Sequence, residues 1–329
     1  MTAYNAFVVS ETSDGEFAGK IKTLDTSDLP AGDVLIKVQY SSLNYKDALS
    51  AAGNKGVTRQ YPHTPGIDAA GSVVEANVAH LNPGEEVIVV GYDLGMNTAG
   101  GFGEYIRVPG DWVVRKPASL GLRASMILGT AGFTAALCVD KLLAAGLDKD
   151  SGEVLVSGAT GGVGSVAVAL LAKLGYDVAA VTGKAQAESW LRDLGARTVI
   201  DRSELGEANP KPLLKPRWAG AVDTVGGPTL VNIIKSLHYG CSVAACGMVQ
   251  SPALELSVFP FILRGVNLLG VDSVELALPV KQAMWDKLGG DWQLDNLESL
   301  ATEITPEELD SSLRQLLAGK ARGRFLLKH

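Results

Sequence analysis

Cysteine is scarce in this chain. The 329 residues include three cysteines, Cys138, Cys241 and Cys246. Three are too few for a disulfide framework, and Cys241 and Cys246 lie in the alternating stretch CSVAACG, a pattern typical of buried thiols in a strand. The scarcity also leaves no cysteine cluster that could hold a structural zinc ion. A disulfide-stabilised secreted domain is therefore not predicted.

Long apolar runs and basic runs are missing as well. No 18-residue stretch is both apolar and free of charge, and Lys173 interrupts the best candidate. The net charge of -7, with no cluster of lysine or arginine, argues against a nucleic acid held through its phosphates. The first residues show no charged leader before an apolar core. We expect a cytoplasmic protein without a membrane or nucleic-acid partner.

The length of 329 residues suits two domains of ordinary size, and the composition, with 47% hydrophobic and 20% charged residues, is that of a globular chain. From Ala3 to Arg115 short alternating stretches are separated by Gly, Pro, Asn and Asp, which predicts an irregular, mostly antiparallel β domain. Beyond Arg123 six buried strands alternate with helical stretches, which predicts an α/β domain with a doubly wound parallel sheet. The last strand, within GRFLLKH, is expected to rejoin the N-terminal domain.

A glycine-rich turn follows the first of these buried strands. Val154 to Ser157 are predicted to form the strand, SGATGGVG the turn, and VAVALLAKLG the helix. Glycine lets the backbone approach a pyrophosphate, and the helix N-terminus attracts its charge. Thr160 stands where the pattern G-x-G-x-x-G requires its second glycine, so the turn alone is also compatible with tight packing that binds nothing. In its strand–turn–helix context it favours a dinucleotide.

The end of the next strand indicates which dinucleotide. Enzymes that use NAD usually place an Asp or Glu there, on the ribose 2′-hydroxyl. Here the strand DVAAVT ends in Thr182, Gly183 and Lys184. A cation and no acid favour a 2′-phosphate, although Lys184 could also be a solvated surface lysine. The sequence therefore predicts NADPH.

The motifs, in their order along the chain, resemble the medium-chain dehydrogenase/reductase superfamily: SSLNYKDAL, PGIDAAG, LGTAGFTA, SGATGGVG, DTVG and a closing GR-x-LLK. Within it the chain resembles the zinc-independent quinone-oxidoreductase-like group. NYKDAL, WAGAVDTVG, VAACG, PFILRGV and LGVDSV together look most similar to NADPH-dependent acryloyl-CoA reductases. The resemblance covers nearly the whole chain. It implies a GroES-like catalytic domain formed by residues 1–123 and 274–329, and a Rossmann domain formed by residues 124–273.

Zinc-dependent members of this superfamily bind a catalytic zinc through a Cys, a His and a third His or Cys. The position that resembles the first cysteine is Asn44, and the position that resembles the histidine of a GHE motif is Ile67. Neither side chain is a zinc ligand. The resemblance therefore implies a reaction without metal, such as reduction of a C=C bond conjugated to a carbonyl, in which hydride adds to the β carbon and an acid protonates the α carbon.

Three residues are candidates for this chemistry. Tyr45 offers a phenol that could protonate the substrate or line the nicotinamide, and Asn44 offers amide donors to the carbonyl. Asp68 stands where the zinc enzymes place a glutamate, and it could orient Asn44 or Lys46, or shuttle a proton. The alternatives are simple packing of Tyr45 against the nicotinamide and a structural role for Asp68.

The resemblance also implies further contacts with the cofactor. They are Thr130 beside the nicotinamide, the turn residues Thr160, Gly161, Gly162 and Val163 at the pyrophosphate, Arg202 as a further contact after strand RTVID, and Met248, Ile262, Ser273 and Arg324 at the outer end or the far face. Thr130 and Met248 could equally be packing residues.

The expected function is NADPH-dependent reduction of a short activated alkene, above all acryloyl-CoA to propionyl-CoA. A quinone or alkenal reductase would share every cofactor residue, and a catalytically silent crystallin-like binding protein is the alternative from another class. The strand NLLGVDS, at the predicted sheet edge, implies a homodimer by resemblance. Lys55, Arg59 and Arg107 could serve a coenzyme A tail, but they are scattered in the sequence and stay unassigned.

Overall fold

The computed structural model describes all 329 residues, which form two compact units. The first unit consists of Met1–Thr130, Val274–Asp291 and Leu297–His329, and the second of Ala131–Ser273 and Trp292–Asn296. The sequence places the first boundary after residue 123, whereas the first unit extends to Thr130. The reason is that Thr130 hydrogen-bonds to Asp68, a residue of the first unit.

Fifteen strands make up the sheets. They are β1 Ala3–Glu11, β2 Phe17–Asp25, β3 Val34–Ser42, β4 Asp68–Ala76, β5 Glu86–Val90, β6 Tyr105–Val108, β7 Val113–Arg115, β8 Val154–Val156, β9 Val178–Thr182, β10 Ala196–Asp201, β11 Trp218–Asp223, β12 Leu237–Ala245, β13 Asn267–Gly270, β14 Ala301–Ile304 and β15 Arg324–Lys328.

Nine α-helices accompany the strands. They are α1 Tyr45–Ala51, α2 Leu122–Ala144, α3 Gly162–Lys173, α4 Glu188–Asp193, α5 Ser203–Gly206, α6 Gly227–Ser236, α7 Phe259–Arg264, α8 Leu278–Gly289 and α9 Leu309–Leu317.

The first unit is built on a seven-stranded sheet with the order β14-β15-β3-β4-β5-β7, in which β6 also pairs with β3. Strand β3 shows why the sequence folds this way, because its alternate residues Val34, Ile36 and Val38 are almost fully buried in one apolar core. The closing strand β15 pairs antiparallel with β3. The predicted return of the C-terminus to the N-terminal sheet is thus confirmed.

A separate two-stranded hairpin joins β1 and β2 in the first unit. The apolar stretches at residues 4–10 and 33–42 predict β1 and β3, but no strand is predicted between them, where β2 lies. Strand β2, FAGKIKTLD, has no fully buried residue and four exposed ones, so it lacks the apolar alternation by which strands are recognised. Its backbone pairing with β1, from Ala3 opposite Asp25 to Glu11 opposite Phe17, is what holds it in place.

The second unit contains a parallel six-stranded sheet with the order β10-β9-β8-β11-β12-β13. All six strands are those that the sequence predicts, and the fold class is confirmed. The strand order reverses between β8 and β11, and ligands of such sheets bind beyond the carboxyl ends of the strands at this switch point. The glycine turn at Gly158 follows β8 at that position.

Helix α2 is interrupted at Gly129, where the backbone takes φ 51° and ψ -156°. By length and composition it is the one helix apolar enough to cross a membrane, but 83% of its apolar window is buried within the fold. It is therefore a core helix with a kink, and the kink occurs within the motif LGTAGFTA.

Candidate active site

Two glycines of the turn after β8 are required by close packing. A Cβ on Gly164 would lie 2.3 Å from the carbonyl oxygen of Gly158. Gly158 itself has φ +59°, and a Cβ there would lie 2.4 Å from the Thr224 hydroxyl. These two positions hold the start of α3 against the ends of β8 and β11.

The remaining turn residues are open. Gly161, Gly162 and Val163 are each only partly buried, and a Cβ on Gly161 would meet nothing closer than 3.3 Å. Gly161 is the N-cap of α3, so the N–H groups of the first turn have no acceptor within the helix. An accessible glycine backbone at a helix N-terminus suits a pyrophosphate.

Thr160 departs from the usual glycine pattern for a reason that the structure supplies. Its side chain is 5% exposed and its hydroxyl lies 3.3 Å from the hydroxyl of Thr182. The contact joins the turn to the end of β9, so Thr160 packs within the unit where a glycine would leave space.

The end of β9 carries the group that the sequence assigns to a 2′-phosphate. The Thr182 hydroxyl accepts the backbone N–H of Lys184 at 3.1 Å, and the Thr182 carbonyl accepts the backbone N–H of Arg202 at 3.0 Å. A Cβ on Gly183 would lie 2.4 Å from Nε of Arg202, so this glycine admits the arginine side chain. Lys184 and Arg202 are thereby brought beside the carboxyl end of β9, with no carboxylate at residues 182–184.

A buried carboxylate below the turn was not singled out from the sequence. Asp223, at the end of β11, accepts the Ser157 hydroxyl at 2.7 Å and the Gly226 N–H at 2.8 Å. Burial raises the pKa of Asp223, while these hydrogen bonds act against the rise. The motif DTVG could have indicated this site, because an aspartate at the end of a buried apolar strand needs hydrogen-bond donors nearby.

Three other predicted cofactor contacts lie in the second unit. Ser273 accepts a hydrogen bond from the Thr134 hydroxyl at 2.8 Å. Met248 and Ile262 are 68% and 74% exposed, so both side chains are accessible. Their contacts with a cofactor stay predictions.

In the first unit, Asp68 lies at the centre of a buried polar cluster. Its side chain is fully buried at the start of β4. It accepts hydrogen bonds from the Ser42 hydroxyl at 2.5 Å, the Asn44 amide at 2.8 Å, and Thr130 twice, from its N–H at 2.9 Å and its hydroxyl at 2.5 Å. A carboxylate with four donors is well suited to position its neighbours.

Arg324, from the closing strand β15, completes this cluster. Its side chain is 3% exposed, with Nη2 3.7 Å from the Asp68 carboxylate and 2.8 Å from the Ser42 hydroxyl. Its other nitrogens donate to the carbonyls of Ile127 and Leu43. Burial lowers the pKa of Arg324, and Asp68 opposes that change. The guanidinium is thus an ion-pair partner within a buried cluster of the first unit, and its contact with a cofactor stays a prediction.

Asn44 is held on both sides of its amide. Nδ2 donates to Asp68 and, at 3.4 Å, to the carbonyl of Ser42. Oδ1 accepts from Arg324 at 3.3 Å. The amide therefore hydrogen-bonds within the buried cluster, and it would have to give up one of these bonds to donate to a substrate carbonyl.

Tyr45 follows Asn44 as the first residue of α1 and is 43% exposed. Asp47, in the first turn of the same helix, is fully buried and accepts hydrogen bonds from the N–H groups of Asn44 at 2.7 Å and Ile67 at 2.8 Å. Burial, with a contribution from Asp68, raises the pKa of Asp47 to about 7. The buried acids thus fix the start of α1, and Tyr45 presents its side chain outward from it.

The residues at the zinc positions of related enzymes do not fit a zinc ion. Asn44 is engaged with Asp68 and Arg324, and Ile67 is a buried apolar residue. No group of three or more His, Cys, Asp and Glu side chains is arranged to hold a metal.

The chain matches two family models and several known proteins. Residues 30–118 match the alcohol dehydrogenase GroES-like domain, and residues 162–288 match the zinc-binding dehydrogenase family. An acrylyl-CoA reductase of Ruegeria pomeroyi, AcuI, is 42% identical over 98% of both chains. YhfP of Bacillus subtilis, provisionally named a quinone oxidoreductase, is 44% identical over 99% of both.

Two similar crystal structures contain a dinucleotide. The YhdH oxidoreductase of Salmonella enterica, solved with NADP, has a TM-score of 0.95 at 44% identity and covers 99% of both chains. YhfP, solved with NAD bound, has a TM-score of 0.96 at 44% identity and covers 100% of both chains. Sequence identity of 42–44% over nearly the full length, together with the same fold, shows the family of this chain. It belongs to the medium-chain dehydrogenase/reductase superfamily, in the zinc-independent quinone-oxidoreductase-like group of oxidoreductases.

Proposed function

We propose that this protein is an NADPH-dependent reductase that converts acryloyl-CoA to propionyl-CoA. The observation that carries the proposal is the 42% identity over 98% of both chains with an enzyme named for this reaction. The resemblance of the motifs to acryloyl-CoA reductases implies the same substrate. The substrate is a C=C bond conjugated to a thioester carbonyl, which needs a hydride and a proton but no metal.

The second unit supplies the cofactor site in this proposal. NADPH, when bound, supplies the hydride. Gly161, Gly162 and the first turn of α3 bind its pyrophosphate. Lys184 and Arg202 bind its 2′-phosphate, because two cations without a carboxylate at residues 182–184 favour the phosphate over a bare hydroxyl. Because the similar protein YhfP was solved with NAD bound, the preference for NADPH over NADH should be measured directly.

The first unit supplies the proton in this proposal. Tyr45 is the proton donor, since it is the first residue of α1 and its side chain is accessible. Asn44 and Asp68 are positioning residues, because they are buried and together fix the N-terminus of the helix on which Tyr45 stands. In this proposal Asp68 therefore acts on the reaction through the position of Tyr45, and not by contact with the substrate.

A quinone reductase is the second candidate, favoured by the 44% identity with YhfP. The two reactions share the cofactor and differ in where the proton goes. A reduced quinone takes protons on oxygen, which exchanges readily with water, whereas the reduced alkene must be protonated on carbon.

A steady-state assay distinguishes the two candidates. Purified protein with NADPH is given acryloyl-CoA in one series and 1,4-benzoquinone in the other, and kcat/KM is compared. We expect acryloyl-CoA to be preferred by at least about tenfold, a difference of about 1.4 kcal/mol in transition-state binding. A preference for benzoquinone of that size would reverse the assignment.

We also propose that the protein is a homodimer. Strand β13 forms one edge of the six-stranded sheet, and an unpaired edge is a template for pairing with another chain. The neighbouring residues Val258, Phe259, Ile262 and Leu263 are between 48% and 74% exposed, an apolar patch of the kind that marks an interface. Sedimentation velocity checks this, and a monomer at micromolar concentration would overturn it.

A further inference from the structure

The segment between Asp47 and Asp68 is basic within an acidic protein. It contains Lys55 and Arg59 and no Asp or Glu, while the whole chain has a net charge of -7. Neither side chain forms an ion pair in the structure. Two cations four residues apart with no carboxylate partner create a local positive potential that an anion would lower.

These cations stand on an ordered loop of the first unit. After α1, the N–H groups of Val57 and Thr58 both donate to the carbonyl of Asn54 at 3.0 Å. The Thr58 hydroxyl lies 2.7 Å from that of Ser50, and the Arg59 N–H donates to the Asn97 side chain at 3.2 Å. The loop therefore holds Lys55 and Arg59 at defined places before any ligand arrives.

Lys55 is held by aromatic rings and remains exposed. Its Nζ lies 4.6 Å from the ring centre of Tyr61 and 5.1 Å from that of Phe17. The Tyr61 hydroxyl in turn donates to the carbonyl of Ser50 at 2.6 Å, which fixes the ring. Cation–π contacts orient the ammonium group and leave its N–H donors available to an anion.

Arg59 lines a groove of about 470 Å³ together with Gln60, Asp93 and Asn97. This volume lies within the range of pockets that bind small molecules. The one acid in the groove, Asp93, accepts hydrogen bonds from Asn97 at 2.8 Å and Thr98 at 3.0 Å. These two neutral donors occupy both carboxylate oxygens of Asp93, and Arg59 is the one cation in the groove that can bind a phosphate.

Arg107, the third basic candidate from the sequence, is excluded. Its Nη2 forms an ion pair with Glu75 at 3.0 Å. An arginine that already has a carboxylate partner would have to exchange it for the ligand, so Arg107 serves as a matched control.

The loop is connected directly to Tyr45 through α1. Helix α1 has seven residues and is about 10 Å long; Tyr45 is its first residue, and Lys55 lies four residues beyond its last residue, Ala51. In an acyl-CoA, a flexible pantetheine arm separates the reacting acyl group from the charged nucleotide. We propose that Lys55 and Arg59 bind the phosphates of the coenzyme A tail while the acyl group reaches Tyr45. This inference rests on the proposed acryloyl-CoA reductase function.

The test compares a substrate with and without the phosphates. The double variant Lys55→Ala/Arg59→Ala is assayed with NADPH on acryloyl-CoA and on S-acryloyl-N-acetylcysteamine, a thioester without the nucleotide. We expect KM for acryloyl-CoA to rise about tenfold or more, since charge-assisted phosphate contacts are lost, with KM for the short thioester unchanged. Arg107→Ala should leave both constants unchanged.

Two further measurements use the wild-type protein and variant together. Adenosine 3′,5′-bisphosphate should inhibit competitively with acryloyl-CoA, and its Ki should rise in the double variant by the same factor as KM. Inorganic phosphate at equal ionic strength should inhibit far less, which separates the nucleotide tail from free phosphate as the ligand. KM of the wild type for acryloyl-CoA, but not for the short thioester, should increase with NaCl concentration.

The outcomes separate this inference from the function on which it depends. If the wild-type protein does not reduce acryloyl-CoA, the proposed function fails and this inference falls with it. If the wild type is active but the variant shows the same KM and Ki, the proposed function stands and the phosphate site is wrong. A wild-type KM that is insensitive to salt would contradict the site even if the variant failed to fold.

Discussion

The carboxylate of Asp68 accepts both the backbone N–H and the hydroxyl of Thr130, which lies 62 residues later in the chain. Asp68 is the first residue of strand β4, and Thr130 directly follows the kink at Gly129 in α2. Arg324, from the closing strand β15, lies 3.7 Å from the same carboxylate. Three distant segments of the first unit thus meet at one buried acid, and the stability of the unit depends on it.

Removing either partner of the buried ion pair should destabilise the first unit strongly. Asp68→Ala or Arg324→Met leaves an uncompensated buried charge, and we expect each to lower the free energy of unfolding by about 3–5 kcal/mol. The double variant should lose less than the sum of the two, because neither charge then remains unpaired. Urea denaturation measures all three, and additive losses would show that the pair is not coupled.

Replacement of Gly129 by alanine should be harmful for a steric reason. A Cβ there would lie 2.4 Å from both the Asp68 carboxylate and the Ser42 hydroxyl. Gly319 is the matched control, since its φ of +66° is also left-handed but a Cβ would meet nothing within 4 Å. We expect Gly319→Ala to cost about 1 kcal/mol and Gly129→Ala at least about 2 kcal/mol more in urea denaturation. Equal losses would rule out the clash.

The pH dependence of stability should carry the signature of Asp47. Its pKa is raised to about 7 in the folded protein from 3.8, so the folded state holds a proton that the unfolded state releases. Its stabilising contribution is therefore full below pH 4 and is lost as pH rises to about 7. We expect Asp47→Asn to remove this loss, so that its stability relative to wild type grows by up to about 4 kcal/mol across the window. Chemical denaturation at several pH values measures the slope, and parallel curves would contradict the shift.

The choice of cofactor should depend on Lys184 and Arg202. Replacing both by alanine should raise KM for NADPH by about 10- to 100-fold, as expected for lost phosphate contacts, and leave KM for NADH nearly unchanged. Arg197→Ala is the control, because Arg197 is paired with Asp177 on the surface. A variant that weakens both cofactors equally would assign these residues to something other than the 2′-phosphate.

Tyr45→Phe should separate alkene reduction from quinone reduction. Loss of a general acid should lower kcat for acryloyl-CoA by about 10²-fold, while 1,4-benzoquinone, protonated on oxygen, should be reduced at nearly the wild-type rate. Stability should be unchanged because the Tyr45 side chain is 43% exposed. Tyr239→Phe, at a 79% exposed position in the second unit, is the control. An unchanged kcat for the alkene would remove Tyr45 as the proton donor.

Much of the second unit could be predicted from sequence because its signals are local. Each buried strand is a short apolar run, and the glycine turn stands between a strand and a helix within a few residues. The same is true of Thr182, the last residue of strand β9, and of Lys184, two residues beyond it. The hairpin strand β2 was not predicted, because backbone pairing with β1 holds it in place and its sequence has no apolar alternation.

The sequence by itself determined the parallel sheet, the glycine turn and the missing acid after β9, since strand alternation, backbone freedom and charge are properties of neighbouring residues. Only the tertiary structure decided that Arg324 turns inward to Asp68, that Asn44 uses its amide there, and that Lys55 and Arg59 stand on one ordered loop while Arg107 is paired. The physical reason is that a buried charge needs a partner. That partner can come from any distance along the chain, so local pattern carries no record of it.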